Sequence, residues 1–149
     1  MGYRVGKPDQ PIGEAGTFRL VNFLAKAPIS AEERLRTVLS FPTGTIAFQT
    51  VTEDQFAYRW YNKANDEYAK QLGYFLSPDL ILDRDAARRL LALPETNKML
   101  ELARIRIKAG AQIFTGGVAP LNGLPGGGNQ ILMSSDPAEY LVVDKILYP

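Results

Sequence analysis

The apolar positions change period along the chain, and each change predicts an element. Tyr3-Arg4-Val5 predicts a short opening strand, and residues 7–16, rich in Pro and Gly, predict a loop. Phe18 and Leu20 set against Arg19 and Val21 predict a strand over 17–26. Ser30-Ala31-Glu32-Glu33 is a capping-box pattern. Leu35, Val38 and Leu39 follow at helical spacing, and Pro42 ends the helix. Alternation returns over 44–51, around Ile46 and Phe48, as a strand. A second capping-box pattern, Thr52-Glu53-Asp54-Gln55, precedes Phe56, Trp60, Tyr61, Ala64, Tyr68 and Leu72, whose intervals predict a helix ended by Gly73. Asp83 is placed to cap a helix over 84–91, broken before Pro94.

Beyond residue 100 the pattern is almost all β. Glu101, Ala103, Ile105 and Ile107 share one strand face, and Leu102, Arg104, Arg106 and Lys108 the other. Ala109-Gly110 is a turn, Gln112-Ile113-Phe114 opens a strand, and residues 116–128 form a Gly- and Pro-rich loop. The last strands are 129–133 and 140–147, joined through Ser134-Asp136-Pro137. About seven short strands and about three helices give an α+β domain with a mostly antiparallel sheet.

The stretch Pro125-Gly126-Gly127-Gly128-Asn129-Gln130 carries the strongest local signal. Its glycines permit positive φ and close approach of a ligand, and its polar pair stands where loop becomes strand. Such a pair suits a binding or catalytic amide, and an ordinary glycine bulge fits the spacing equally well.

Composition narrows the chemistry. A chain of 149 residues fits one domain, 1–149, with a sizeable core. It has 46% hydrophobic and 22% charged residues, as soluble globular proteins do. No apolar run approaches the ~18 residues of a membrane span, and the start lacks a signal peptide's apolar core. With neither Cys nor His, thiol nucleophiles, imidazole acid–base pairs and structural zinc sites are excluded. A carboxylate-only Mg²⁺ or Ca²⁺ site is allowed, but no metal is expected. A net charge of +1, from 17 basic and 16 acidic residues, argues against nucleic acid as partner.

Gly73-Tyr74-Phe75-Leu76-Ser77-Pro78, Leu91-Ala92-Leu93-Pro94, Ile107-Lys108-Ala109-Gly110, Val118-Ala119-Pro120 and Pro125-Gly126-Gly127-Gly128-Asn129-Gln130 occur in that order. The ordered set resembles the tuberculosis necrotizing toxin (TNT) family of bacterial NAD glycohydrolase toxins, the C-terminal warheads of polymorphic secreted toxins. It covers residues 73–147, half the chain.

The resemblance implies a compact ADP-ribosyltransferase-like fold with a split sheet, and cleavage of NAD to nicotinamide and ADP-ribose. NAD is then substrate rather than cofactor, with NADP a second candidate. The resemblance carries over Gln130 as the catalytic amide and sets Phe75 and Ser77 on a strand facing the nucleotide, with Asn129 beside them. It further implies a cognate immunity protein, a monomer, and a secreted or injected effector acting in the target-cell cytoplasm. Two departures stand out. The family often has an Arg shortly before Phe-Leu-Ser-Pro, where this chain has Asp66-Glu67-Tyr68-Ala69, and another directly before Ala-Leu-Pro, where it has Leu91.

The chemistry needs neither Cys nor His. Nicotinamide leaves as a neutral molecule from a cationic glycoside, so no general acid is required, and the transition state resembles an oxocarbenium ion. The site must hold the ribose and stabilise the developing charge, which a carboxamide at Gln130 suits. The pyrophosphate needs cations, and the candidates are Arg4, the first choice, and Arg59. A neutral amide in place of the Glu of related transferases favours water as acceptor. The alternatives are an ADP-ribosyltransferase, a toxin nuclease and a non-catalytic binding module.

Overall fold

The computed structural model describes residues 11–42 and 44–148. The predicted strand at Tyr3–Val5 and the candidate Arg4 lie outside the described residues.

Eleven elements follow one another: α1 (Pro11–Ala25), α2 (Ala31–Leu39), β1 (Ala47–Thr50), β2 (Gln55–Tyr61), β3 (Phe75–Leu76), α3 (Arg84–Leu90), β4 (Glu101–Ile107), β5 (Gln112–Gly117), β6 (Asn129–Met133), α4 (Pro137–Tyr140) and β7 (Leu141–Tyr148). They make an α+β domain with four helices among the described residues and two antiparallel sheets, in orders β1-β5-β6-β3 and β2-β4-β7.

The sheets pack face to face. Ala57, Tyr61, Ala103, Ile105 and Ile107 of one meet Ile113, Ile131 and Met133 of the other in the central core. Phe114 and Leu132 point the other way, onto Leu20 and Leu24 of α1. Trp60 and Leu102 face outward from the second sheet, beneath Ala87 of α3. Apolar side chains on both faces explain why Ile131-Leu132-Met133 is an unbroken apolar run. The outer face of β4 is part solvated: Arg104 pairs with Asp144 at 2.6 Å and stacks on Phe56.

Two predicted elements are corrected. Residues 11–25, read as loop and then strand, are helical. Gly16, Leu20 and Leu24 recur every four residues on the buried face, a period that outweighs one cycle of alternation at Phe18 and Leu20. Gly16 is buried against the Ile46 carbonyl, where an added Cβ would collide.

The helix predicted from Phe56 to Leu72 is instead strand β2 followed by turns. Phe56, Tyr58, Trp60 and Tyr61 all favour a pleated surface. Ala57 and Tyr61 face the inter-sheet core, whereas Tyr58 and Trp60 face α3. Every residue of β2 finds a partner on β4, from Gln55↔Ile107 to Tyr61↔Glu101.

The helix at 31–39 and the one at 84–90 form as their caps predict. Ser30 accepts from the Glu33 backbone N–H at 3.1 Å, and Asp83 accepts from that of Ala86 at 3.0 Å.

Candidate active site

Beside their packed core, the two sheets are joined by one backbone bridge and then diverge. Tyr58 of β2 and Ser77, just past β3, exchange both backbone hydrogen bonds at 2.8 Å. Both strands are sheet edges, so this pair is where the split opens. Arg59, next along β2, reaches across it: its Nε donates to the Lys70 carbonyl at 2.8 Å and its Nη1 to that of Phe75 at 2.7 Å. Two bonds use two of five guanidinium donors, so three N–H groups remain. Burial holds its pKa down to about 10, and among the described residues no carboxylate lies within ion-pair distance of it.

Cavities open on either side of that arginine. One, of about 260 Å³, is lined by Gln130, Ser77, Tyr58, Trp60, Asn97 and the 91–94 segment. The other, of about 1060 Å³, lies between the end of α1 and the 65–75 segment. Arg59, Phe75, Tyr68 and Thr37 line both, which makes them two lobes of one cleft with a cation at its waist. Arg36, on the last turn of α2, adds a second cation to the smaller lobe. Among the described residues, that lobe is lined by no carboxylate.

Gln130 is buried in the smaller lobe, with its Nε2 donating to the carbonyls of Ser40 (2.8 Å) and Gly117 (3.0 Å). Phe75 is half-buried between the lobes. Ser77 lines the smaller one, but its hydroxyl serves a local turn, donating to the Asp79 carbonyl at 2.8 Å and accepting from the Asp79 N–H at 3.1 Å. Asn129 is exposed, belongs to neither lining, and donates to the Asp79 carboxylate at 3.1 Å. Gln130, Phe75 and Ser77 are therefore brought together, Arg59 joins them, and Asn129 stands apart.

The glycine tract does not reach the cleft. The N–H groups of Gly126, Gly127 and Gly128 donate to the carbonyls of Arg89, Val118 and Leu90. Gly126 sits at φ 70° against the Val118 and Ala119 carbonyls, where any Cβ would collide. The tract is structural: it seals the loop against the end of α3.

Some contributors to the site escaped the sequence reading. Arg88 donates to the carbonyls of Leu93, Pro94 and Asn97 and shapes the wall of the smaller lobe. Asn97 is buried, donates to the Trp60 carbonyl at 3.0 Å and accepts from the Met99 N–H. Their sequence neighbourhoods hold no motif. Arg59 did carry a signal: it is a charged residue at the inward phase of an alternating aromatic strand.

The chain shares its fold with solved protein complexes. Tse6 in complex with Tsi6 superposes with a TM-score of 0.60 at 11% identity, over 90% of this chain and 98% of that one. Tne2 in complex with Tni2 gives 0.58 at 20% identity, over 69% and 92%. Rhs1-CT in complex with its cognate immunity protein RhsI1 gives 0.50 at 16% identity, over 82% and 98%. No protein-family model and no curated protein matches the sequence.

Proposed function

We propose that this domain is an NAD glycohydrolase of the toxin type, built on an ADP-ribosyltransferase-like fold. The observation that carries this reading is the two-lobed cleft whose waist holds Arg59, a cation with no counter-ion among the described residues, with a buried carboxamide in the smaller lobe. A dinucleotide has that form: two nucleoside ends joined by a dianionic pyrophosphate. The pyrophosphate sits on Arg59, with the N–H groups left over from the Lys70 and Phe75 bonds directed to its oxygens. Arg59, the second of the two candidate cations, fills this role here, and Arg4 lies outside the described residues.

The nicotinamide riboside end enters the smaller lobe, beside Gln130 and against Phe75. Phe75 sets the position of the sugar with Ser77 as wall beside it, and Gln130 bonds a ribose hydroxyl as the glycosidic bond lengthens. The pyridinium leaves as neutral nicotinamide without a proton donor, and a lobe lined by no carboxylate among the described residues suits that departure. A neutral amide at Gln130, where the related transferases carry a Glu that helps activate an acceptor, favours water and hydrolysis over ADP-ribosyl transfer. NAD acts as substrate, and no resident cofactor or metal is invoked.

The similar folds solved with partner proteins, one of them a cognate immunity protein, support a delivered effector neutralised by a cognate immunity protein in the producer. The test is incubation of the purified domain with NAD and, in parallel, NADP, with nicotinamide release followed by chromatography. Release that falls by about 10²–10³ on Gln130→Ala is the expected result. Intact dinucleotide after prolonged incubation with folded protein would remove the reading.

A further inference from the structure

The carboxamide of Gln130 is committed on one side. Its two N–H donors both leave from Nε2, one to the Ser40 carbonyl at 2.8 Å and one to the Gly117 carbonyl at 3.0 Å. Oε1 has no hydrogen-bond partner among the described residues, although the side chain is buried and lines the smaller lobe. Turning the amide over would set its oxygen against two carbonyl oxygens, so the network permits one orientation. The carbonyls belong to different elements: Ser40 caps the C-terminus of α2, and Gly117 ends β5. The Ser40 carbonyl also accepts the Ala119 N–H at 2.9 Å. The amide nitrogen therefore fastens the helix that presents Arg36 and Thr37 to the sheet that presents Gln130.

We infer that Gln130 is a locked acceptor: its nitrogen ties α2 and β5 together behind the cleft, and only its oxygen is offered to the substrate. This rests on the NAD-cleaving reading and makes it more specific. The ligand must place a hydroxyl donor at Oε1, and a carboxylate cannot stand in for the amide. Glutamate would turn an oxygen toward each carbonyl. Ionised, it restores neither bond; protonated, it restores one. The common exchange of Gln for Glu is then not conservative here, and it does not convert this site into a transferase.

Two arms test the inference on the whole domain. Thermal unfolding of Gln130→Glu and wild type is compared from pH 4 to pH 8. Facing two carbonyl oxygens, the carboxyl in the fold titrates above its ordinary value, so the variant loses stability as pH rises past the unfolded carboxyl's pKa. The expected result is a Tm deficit larger by about 5 °C or more at pH 8 than at pH 4. A deficit that does not grow with pH overturns the tether.

In the second arm, wild type and Gln130→Met are given NAD and its analogues lacking the 2′- or the 3′-hydroxyl of the nicotinamide ribose. Loss of one of these hydroxyls should lower kcat/KM of wild type at least about 10-fold while leaving Gln130→Met nearly indifferent. Equal losses in both proteins overturn the acceptor role. Should Gln130→Met not fold, Gln130→Ala, which also lacks the acceptor, takes its place. If wild type leaves NAD intact, the functional reading falls and the acceptor half with it, while the pH arm still decides the tether.

Discussion

Arg59 Nη1 donates to the Phe75 carbonyl at 2.7 Å, and this bond crosses the opening between the two sheets just beyond their last backbone pair. The arginine is both the strut of the cleft and its cation. Lysine can do one of these tasks but not both, because a point ammonium lacks the planar fork that meets two carbonyls and a phosphate together. Arg59→Met should weaken ADP-ribose binding by about 30- to 100-fold, and Arg59→Lys should recover only part of that. Arg36 is exposed, and Arg36→Ala should cost at most about 5-fold. Calorimetry with ADP-ribose reads all three. Unchanged affinity in Arg59→Met would take the pyrophosphate off this residue.

Gly73 was expected to end a helix, and its role is different. The Arg59 guanidinium lies over its backbone, and an added Cβ would meet Nη2, Cζ and Nε. Its own φ is not in the left-handed region, so alanine meets a steric obstacle without backbone strain. Gly73→Ala should therefore act through Arg59, lowering ADP-ribose affinity about 10-fold. In the Arg59→Met background the same change should add almost nothing, giving a non-additive cycle. Additive losses would show that Gly73 acts by some other route.

Alkaline pH gives an independent reading of the same cation. Burial sets the Arg59 pKa at about 10 in the fold, below its unfolded value. The unfolded chain holds that proton longer, so from about pH 10 upward this group makes stability rise with pH. Tyr61 opposes it: burial, together with Glu101, pushes its pKa up to about 12, so its neutral form favours the fold and stability falls as the unfolded phenol ionises. Arg59→Met removes the first slope and keeps the second. Its stability relative to wild type should decline above pH 10 in urea titrations, by at most about 1.4 kcal/mol per pH unit. A constant difference across pH 9–11.5 would mean that Arg59 is not desolvated.

What was legible in the sequence follows the range of the interactions. Strands β4, β5, β6 and β7 and the caps at Ser30 and Asp83 could be read because alternation and capping are local. Strand β2 was missed because Phe56, Trp60, Tyr61, Ala64, Tyr68 and Leu72 fit the helical period, whereas β4, some forty residues away, pairs the segment as a strand. Gln130, Phe75 and Ser77, named through the resemblance, line one cleft. Arg59 was named only as the second candidate cation after Arg4, since its inward position exists only once β2 is a strand. The glycine tract gave a strong signal for a structural reason: the N–H groups of Gly126 and Gly128 are taken up by the end of α3 and that of Gly127 by the Val118 carbonyl.

The two capping-box patterns make the last point quantitative. At Ser30 both halves form: the Ser30 hydroxyl accepts from the Glu33 N–H at 3.1 Å, and the Glu33 carboxylate accepts from the Ser30 N–H at 3.3 Å. At Thr52 no helix follows, and the residue that matters in its turn is Asp54, whose carboxylate accepts from the Ala109 N–H at 2.8 Å and stands 3.8 Å from Arg106. Ser30→Ala should cost about 1 kcal/mol. Thr52→Ala should lie within about 0.5 kcal/mol of wild type, because it is exposed and caps nothing. Asp54→Ala should cost about 1 kcal/mol, by removing the acceptor that holds the β4–β5 turn to the start of β2. Chemical denaturation of the three variants separates them, and a Thr52→Ala loss matching that of Ser30→Ala would mean that residues 52–55 hold helical structure in solution.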